Sequence, residues 1–307
     1  MTRDMVRPVV RRAVGWSGAL ALVAMLAAPG PLTAAEVSAP DAGVGAPERG
    51  PAGDAPRRPV ASQDVERDAG RDATWRTIAP DIFPGRQIGA AEGLVALDAP
   101  GRAEDAALVP LTVALTLPAG DPRRFRAVTV VIDENPSPVA GRFTFGPDQG
   151  DFVLSLRARV NSYSQVRAIA ETDDGALHMA TVFVKAAGGC SAPATKDTAE
   201  SIAHLGDIRF RSFAEAGRAE AQVQIRHPNF SGLQMDEATR GYTPAWFVRE
   251  VAITQGGRLL LGMEGGISIS EDPTFRFTYH PSTAPVTVRG EDTEGKVFSR
   301  TFPGGGS

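Results

Sequence analysis

The 307-residue sequence is poor in residues that build cross-links and metal sites, with one cysteine and four histidines. A single cysteine excludes an internal disulfide framework and a cysteine-rich zinc site. Aromatic residues make up only 7% of the chain, and the formal net charge of −4 argues against a nucleic-acid-binding protein, which usually presents a basic surface. The sequence also has no phosphate-binding loop and no dinucleotide fingerprint. We therefore expect no cofactor and no metal, and a chain that is not an enzyme.

Long apolar runs are also scarce, and the clearest one lies near the N-terminus, at residues 13–28 behind four arginines. A membrane-spanning helix needs about 20 apolar residues, and this run is shorter and contains Gly15, Ser17 and Gly18. The pattern favours a signal peptide over residues 1–35, cleaved near Ala35 after small residues. We therefore predict a periplasmic protein. Arg11-Arg12 leaves open whether export uses the general or the twin-arginine route.

The remainder of the chain divides into a leader, a short helix and two blocks of strands. Residues 36–61 have almost no large apolar side chains, which predicts a disordered leader. Residues 62–83 have a helical pattern that ends at Pro80 and Pro84. Alternating apolar residues then predict seven strands within 93–186 and eight within 207–302, one of them at 266–270. This spacing indicates an all-β chain of two tandem antiparallel sandwiches with a short N-terminal helix.

Cys190 is the residue that most favours a function, because it follows Gly188-Gly189 between the two blocks. A lone cysteine is usually a small buried hydrophobe. Here the last strand of the first block has ended, and small residues surround the thiol. An unpaired cysteine in an oxidising compartment also needs an explanation, since it invites oxidation and intermolecular disulfides. We therefore predict an exposed, functional thiol.

The two glycines suggest how such a thiol would work. Without a Cβ atom they allow many backbone conformations, so Gly188 and Gly189 are predicted to form a flexible arm that carries Cys190 into a partner. The sulfur would reach on the order of 17 Å from the end of the strand. An ordinary thiol is only a few per cent ionised at neutral pH, which suits a carrier better than an independent nucleophilic enzyme.

Longer stretches on both sides of this element resemble a known pair of proteins. The first block resembles SoxY, the sulfur-carrying subunit of bacterial thiosulfate oxidation, in its stretches at 107–110, 132–138, 156–160, 166–168 and 184–190. The second block resembles SoxZ, its structural partner, at His227-Pro228, 244–247, 267–273 and 292–295. We predict a SoxY-like domain over 62–190, a linker over 191–205 and a SoxZ-like domain over 206–303. The chain resembles the fused form that is found beside periplasmic quinoprotein dehydrogenases.

The resemblance implies two immunoglobulin-like sandwiches and a carrier role for Cys190, which would hold a sulfur or other thiol-reactive intermediate covalently. The expected partners are periplasmic sulfur-metabolism enzymes or a quinoprotein dehydrogenase. The chain departs from SoxY at one point, because Ser191-Ala192-Pro193 and a second domain follow the cysteine. An arm fixed at both ends has less reach than a free tail.

Two other functions remain open. The chain could be an interaction or assembly module for a quinoprotein dehydrogenase, without covalent cargo. It could also be a metal chaperone that uses Cys190 with a methionine or histidine. Met235 and Met263 would suit copper, although they are not clustered in the sequence. His227 is interpreted as a turn residue and His178 as a solvent-facing strand residue. Asp133-Glu134 and Glu271-Asp272 are interpreted as solvated acidic pairs.

Overall fold

The computed structural model describes residues 70–147, 149–195, 198–215, 218–236 and 239–304. The predicted signal peptide, the predicted leader and the beginning of the predicted helix lie outside these residues. Within them the chain has a helix α1 (Ala73–Ile82), a helix α2 (Thr198–Ala203) and fifteen strands. None of the helices in the described residues is long and apolar enough to cross a membrane.

The first half of the described chain contains eight strands and the second half contains seven. Those of the first half are β1 (Ile88–Ala90), β2 (Val95–Asp98), β3 (Val109–Leu115), β4 (Phe125–Ile132), β5 (Val139–Phe145), β6 (Phe152–Ala158), β7 (Ser164–Thr172) and β8 (Leu177–Val184). Those of the second half are β9 (Ile208–Glu215), β10 (Arg218–Ile225), β11 (Val248–Gln255), β12 (Arg258–Gly265), β13 (Thr274–Tyr279), β14 (Val286–Asp292) and β15 (Val297–Phe302). The prediction of a mostly β chain with two sandwich domains is confirmed.

The two sandwiches are joined edge to edge, so that both sheets contain strands of both halves of the described chain. The larger sheet has the order β1-β8-β7-β4-β5-β12-β11-β14-β15, and the smaller has the order β2-β3-β6-β13-β10-β9. The joins are the antiparallel pairs β5–β12 and β6–β13. Each half thereby covers two edge strands of the other, which removes four exposed edges that could pair with other chains.

Alternating side chains build the space between the sheets. In β3 the buried residues are Val109, Leu111, Val113 and Leu115, and β6 shows the same period of two. Most of the buried apolar residues form one cluster that contains members of both halves. Strand β4 is buried on both faces, because α1 packs on the outer face of the larger sheet and places Trp75 against Val131 and Ile169.

The sequence patterns fail at two local points. The predicted strand at 266–270 is a turn with one isolated bridge, between Ile269 and Ala158. Strand β1 was not predicted, and it pairs in parallel with β8 over only three residues. Helix α1 ends at Ile82, within the predicted helical span of 62–83, and it includes Pro80 because a proline in the last turn removes only one helical hydrogen bond.

A buried ion pair fixes the start of α1 to the larger sheet. The guanidinium of Arg167 donates to both carboxylate oxygens of Asp133, at 2.7–3.0 Å, and to Asp72 before the helix, at 2.6 Å. Its Cζ also lies 4.6 Å from the centre of the Trp75 ring. The side chains of Arg167 and Asp133 are 2% and 0% exposed. The interpretation of Asp133 as a solvated residue is therefore wrong.

Substituting Asp133→Asn is expected to lower the free energy of unfolding by about 2–3 kcal/mol, because it leaves a buried guanidinium with only a half-exposed partner. Urea denaturation measures this loss. The matched control is Glu220→Gln, which removes a carboxylate from the exposed pair with Arg276 and should change stability little. Equal effects of the two substitutions would show that the buried pair does not stabilise the fold.

Candidate functional site

The segment that carries Cys190 leaves β8 and turns back against the first half. We call residues 187–195 the cysteine segment. The backbone N–H of Gly188 donates to the carbonyl of Asn161 at 2.7 Å, and that of Gly189 donates to Val160 at 3.1 Å. Ser191 N–H donates to the carbonyl of Gly188 at 3.1 Å, which closes a tight turn around the cysteine.

The second half binds the other side of the same segment. The hydroxyl of Ser231 donates to the carbonyl of Cys190, and Nε2 of Gln234 donates to the carbonyl of Ala192 at 3.0 Å. Further along, Thr195 donates through its N–H, at 3.0 Å, and through its hydroxyl to the carboxylate of Glu271. The cysteine segment is thus held between the two halves by hydrogen bonds from both.

Cys190 is fully buried in this arrangement, with 0% of its surface exposed, and it has no disulfide partner. Burial raises the pKa of its thiol from the ordinary value of 9.0 to about 11, an effect that the nearby positive charge of Arg159 only partly offsets. The structure therefore contradicts the expectation of an exposed thiol. The cysteine nevertheless belongs to neither hydrophobic cluster of the described residues. Its surroundings include the polar groups of Arg159 and Ser231.

The structure requires a glycine at position 188 and at position 189 for two different reasons, and neither residue acts as a hinge in this structure. Gly188 has a φ of +76°, a conformation that L residues with a side chain rarely adopt. Gly189 lies so close to the chain that a Cβ atom would overlap the carbonyl oxygens of Ala106 and Val160. The predicted flexible arm at Gly188 and Gly189 is therefore corrected to a packed turn. Gly189, which the sequence suggested as a source of mobility, is instead required by its close approach to the backbone at Ala106 and Val160.

Arg159 is a residue of this site that the sequence did not reveal. It follows β6, is 1% exposed, and donates to the carbonyls of Gly189 at 3.2 Å and Asn229 at 3.3 Å. Burial lowers the pKa of its guanidinium from the ordinary value. Its backbone carbonyl accepts a hydrogen bond from Asn135 at 2.7 Å. Arginines often extend from strand ends into solvent, so the residue type and position gave no sign of burial.

A polar cluster in the second half positions Asn229. His227 is fully buried, and its ring Nδ1 accepts the backbone N–H of Asn229 at 3.0 Å. The backbone N–H of His227 donates to the carboxylate of Asp272. Burial lowers the pKa of His227 to about 4, so the ring is neutral near pH 7. Its Nε2 lies 3.5 Å from Asp292, which accepts a hydrogen bond from Trp246. His227 is thus a hydrogen-bonded turn residue, as interpreted from the sequence.

Other polar residues differ from their interpretation. His178 is 9% exposed rather than solvent-facing, and Glu271 and Asp272 are buried. Met263 is buried, whereas Met235 is 55% exposed. Among the residues that the structure describes, no group of three or more histidine, cysteine, aspartate or glutamate side chains could hold a metal ion.

Comparison with known proteins assigns a family to each half. The family described as sulfur oxidation protein SoxY matches residues 80–190, and the family described as sulphur oxidation protein SoxZ matches residues 208–303. No curated protein matches the chain.

Two solved structures are similar to parts of the chain. One is the sulfur carrier protein SoxY from Chlorobium limicola f thiosulfatophilum, at 23% identity and a TM-score of 0.32, over 40% of this chain and 99% of that chain. The other is a beta-glycosidase from Bacteroides vulgatus, at 10% identity and a TM-score of 0.22, over 68% of this chain and 24% of that chain. Both likenesses are too weak to support a conclusion.

The SoxY match ends at Cys190 itself, and the SoxZ match begins after α2. The two matches follow one another in the order expected from the sequence. The chain therefore belongs to the SoxY and SoxZ families, as a SoxY domain fused to a SoxZ domain.

Proposed function

We propose that the protein is a non-enzymatic carrier that holds a sulfur or other thiol-reactive intermediate covalently on Cys190 and presents it to partner enzymes. The observation that carries this proposal is the position of the chain's one cysteine. Cys190 is the last residue of the SoxY match and lies in a turn that both domains bind. A site at this junction can be opened by any partner that competes for those hydrogen bonds.

The carrier role requires the cysteine segment to open, because the thiol is enclosed in the closed arrangement. The segment is held mainly by polar contacts, since none of residues 187–195 belongs to a hydrophobic cluster of the described residues. Each hydrogen bond contributes about 0.5–1.5 kcal/mol net, and seven of them join the segment to the rest of the chain, so full opening needs about 4–10 kcal/mol. Once open, Cys190 lies four residues beyond Ala186 and reaches on the order of 14 Å from it.

Intact-mass measurement of protein purified from its native compartment tests the proposal. We expect a sulfur-containing adduct on the wild-type chain while the producing cell oxidises its sulfur substrate, and no adduct on Cys190→Ser. The substituted protein should also fail to complement a strain that lacks the wild-type protein, although it folds normally. An unmodified Cys190 under these conditions, together with full complementation by Cys190→Ser, would refute the carrier role.

The proposal includes export to the periplasm, where the expected partners are sulfur-metabolism enzymes or a quinoprotein dehydrogenase. Its support is the arginine-rich, apolar pattern of residues 1–35. N-terminal sequencing of the protein from a periplasmic fraction should give residue 36 as the first residue. Full-length protein in the cytoplasmic fraction would contradict this part of the proposal.

A second candidate is an assembly or interaction module for a quinoprotein dehydrogenase, without covalent cargo. The burial of Cys190 and the pKa of about 11 favour it, because a protonated, enclosed thiol is unreactive. In that case Cys190→Ser would retain partner binding and dehydrogenase activity. The same substitution therefore separates the two candidates.

A further inference from the structure

The guanidinium of Arg159 is enclosed between the two domains without an anion to pair with. Its terminal nitrogens donate only to the carbonyls of Gly189 and Asn229, and its Nε has no hydrogen-bond partner. Among the described residues, no carboxylate forms an ion pair with it. A buried charge is costly unless it is paired, so this site would be stabilised by a negative charge.

The two carboxylates that act on Arg159 from a longer distance are already engaged. Both oxygens of Glu271 accept hydrogen bonds from Thr195, and Oδ1 of Asp105 accepts the N–H of Ala107 at 2.7 Å. The remaining ionisable neighbour is Cys190, which follows the glycine that Arg159 binds. An unmodified cysteine is a neutral thiol, and it cannot supply the missing charge.

We propose that Arg159 is the counter-ion for an anionic sulfur adduct on Cys190, so that the closed cysteine segment retains anionic cargo in preference to neutral cargo. This inference rests on the proposed attachment of cargo to Cys190. A persulfide or thiosulfonate end carries a negative charge. The unpartnered Nε–H of Arg159 gives such an end a charge-assisted hydrogen bond, which is about twice as strong as a neutral one.

The single cysteine allows the unfolded chain to be loaded at one position. Tetrathionate gives an anionic adduct, as the thiolate displaces thiosulfate: Cys–S⁻ + S₄O₆²⁻ → Cys–S–S₂O₃⁻ + S₂O₃²⁻. Methyl methanethiosulfonate gives a neutral adduct, as the thiolate displaces methanesulfinate: Cys–S⁻ + CH₃SO₂SCH₃ → Cys–S–SCH₃ + CH₃SO₂⁻. After refolding, the rate at which a phosphine releases each adduct is divided by its rate in the unfolded chain, which removes intrinsic differences in reactivity.

In the wild-type protein we expect the anionic adduct to be protected about tenfold more than the neutral one. Arg159→Met should abolish this difference, and Arg159→Lys should restore part of it because the charge returns. The control is Arg157→Met, which removes a positive charge two residues away. Arg157 contacts Thr274 and Asp272 instead of the cysteine segment, so its loss should leave the difference intact.

Arg159→Met must also protect the neutral adduct as well as the wild-type protein does, because a general loosening of the fold would expose both adducts and remove the difference by itself; loss of that protection would count against the proposal. Equal protection of the two adducts in the wild-type protein would overturn the proposal. A preference that persists in Arg159→Met would also overturn it, as would failure of the wild-type protein to refold with the anionic adduct. Because loading is chemical, these results are independent of whether the cell ever loads Cys190.

Discussion

Alkylation of Cys190 by iodoacetamide at pH 7 is expected to be at least about a hundredfold slower in the native protein than in the unfolded chain. The thiolate is the reactive form, and a rise of its pKa from 9.0 to about 11 reduces the thiolate population about a hundredfold at this pH. Enclosure of the sulfur slows the reaction further. The residual native rate then reports the fraction of molecules in which the cysteine segment is open.

The same burial predicts how stability depends on pH. The folded state binds the thiol proton more tightly than the unfolded state, because its pKa is raised. This contribution is fully present below about pH 9 and is lost as the pH rises towards 11. Denaturant titrations across this range should show the loss in the wild-type protein and not in Cys190→Ser.

For the alkylation experiment, a native rate as fast as that of the unfolded chain would show instead that the segment is open in solution.

The strands of this fold could be predicted from the sequence because their signal is local. Alternating apolar residues along β3 and β6 indicate which side chains face the core, whatever the partner strand is. The joining of the two sandwiches has no such signal. It depends on pairing between Phe145 and Leu261, which lie more than a hundred residues apart and resemble residues of any other buried strand.

The environment of Cys190 could not be predicted for a related reason. Local sequence shows only small residues beside the thiol, which is compatible with an exposed loop. The groups that cover it come from distant positions, among them Arg159 and Ser231. In the same way, Asp133 carries no local indication that Arg167 and α1 will enclose it. Predicted exposure failed wherever a partner from another element supplied the burial.

Substituting Gly189→Ala is expected to open the cysteine segment without unfolding the protein. The added Cβ would overlap the carbonyl oxygen of Ala106 and lie 2.6 Å from that of Val160. Both carbonyls belong to the backbone and cannot move aside as a flexible side chain would. Alkylation of Cys190 should therefore increase about a hundredfold, towards the rate of the unfolded chain, since the closed state can no longer form. Circular dichroism should still show a folded β protein.

Two other glycines serve as controls for this experiment. Gly188→Ala introduces a side chain at a φ of +76° but in open space, with Ser191 Oγ the nearest atom at 3.8 Å. It should carry only the backbone penalty of about 1–2 kcal/mol, with a correspondingly smaller increase in alkylation. Gly175→Ala carries the same penalty, at a φ of +84°, in the distant β7–β8 turn and should leave Cys190 protected.

The comparison separates two physical roles for the glycines. If they act as a hinge, either alanine stiffens the segment, so Gly188→Ala and Gly189→Ala should both slow the reaction of Cys190 with large reagents. If close approach is what requires Gly189, the two substitutions differ, and only Gly189→Ala exposes the thiol strongly. In that case, closure of the cysteine segment over the thiol regulates the carrier. The Gly189→Ala protein should then accept sulfur from a donor faster than the wild-type protein, and it should lose that sulfur to reductants faster as well.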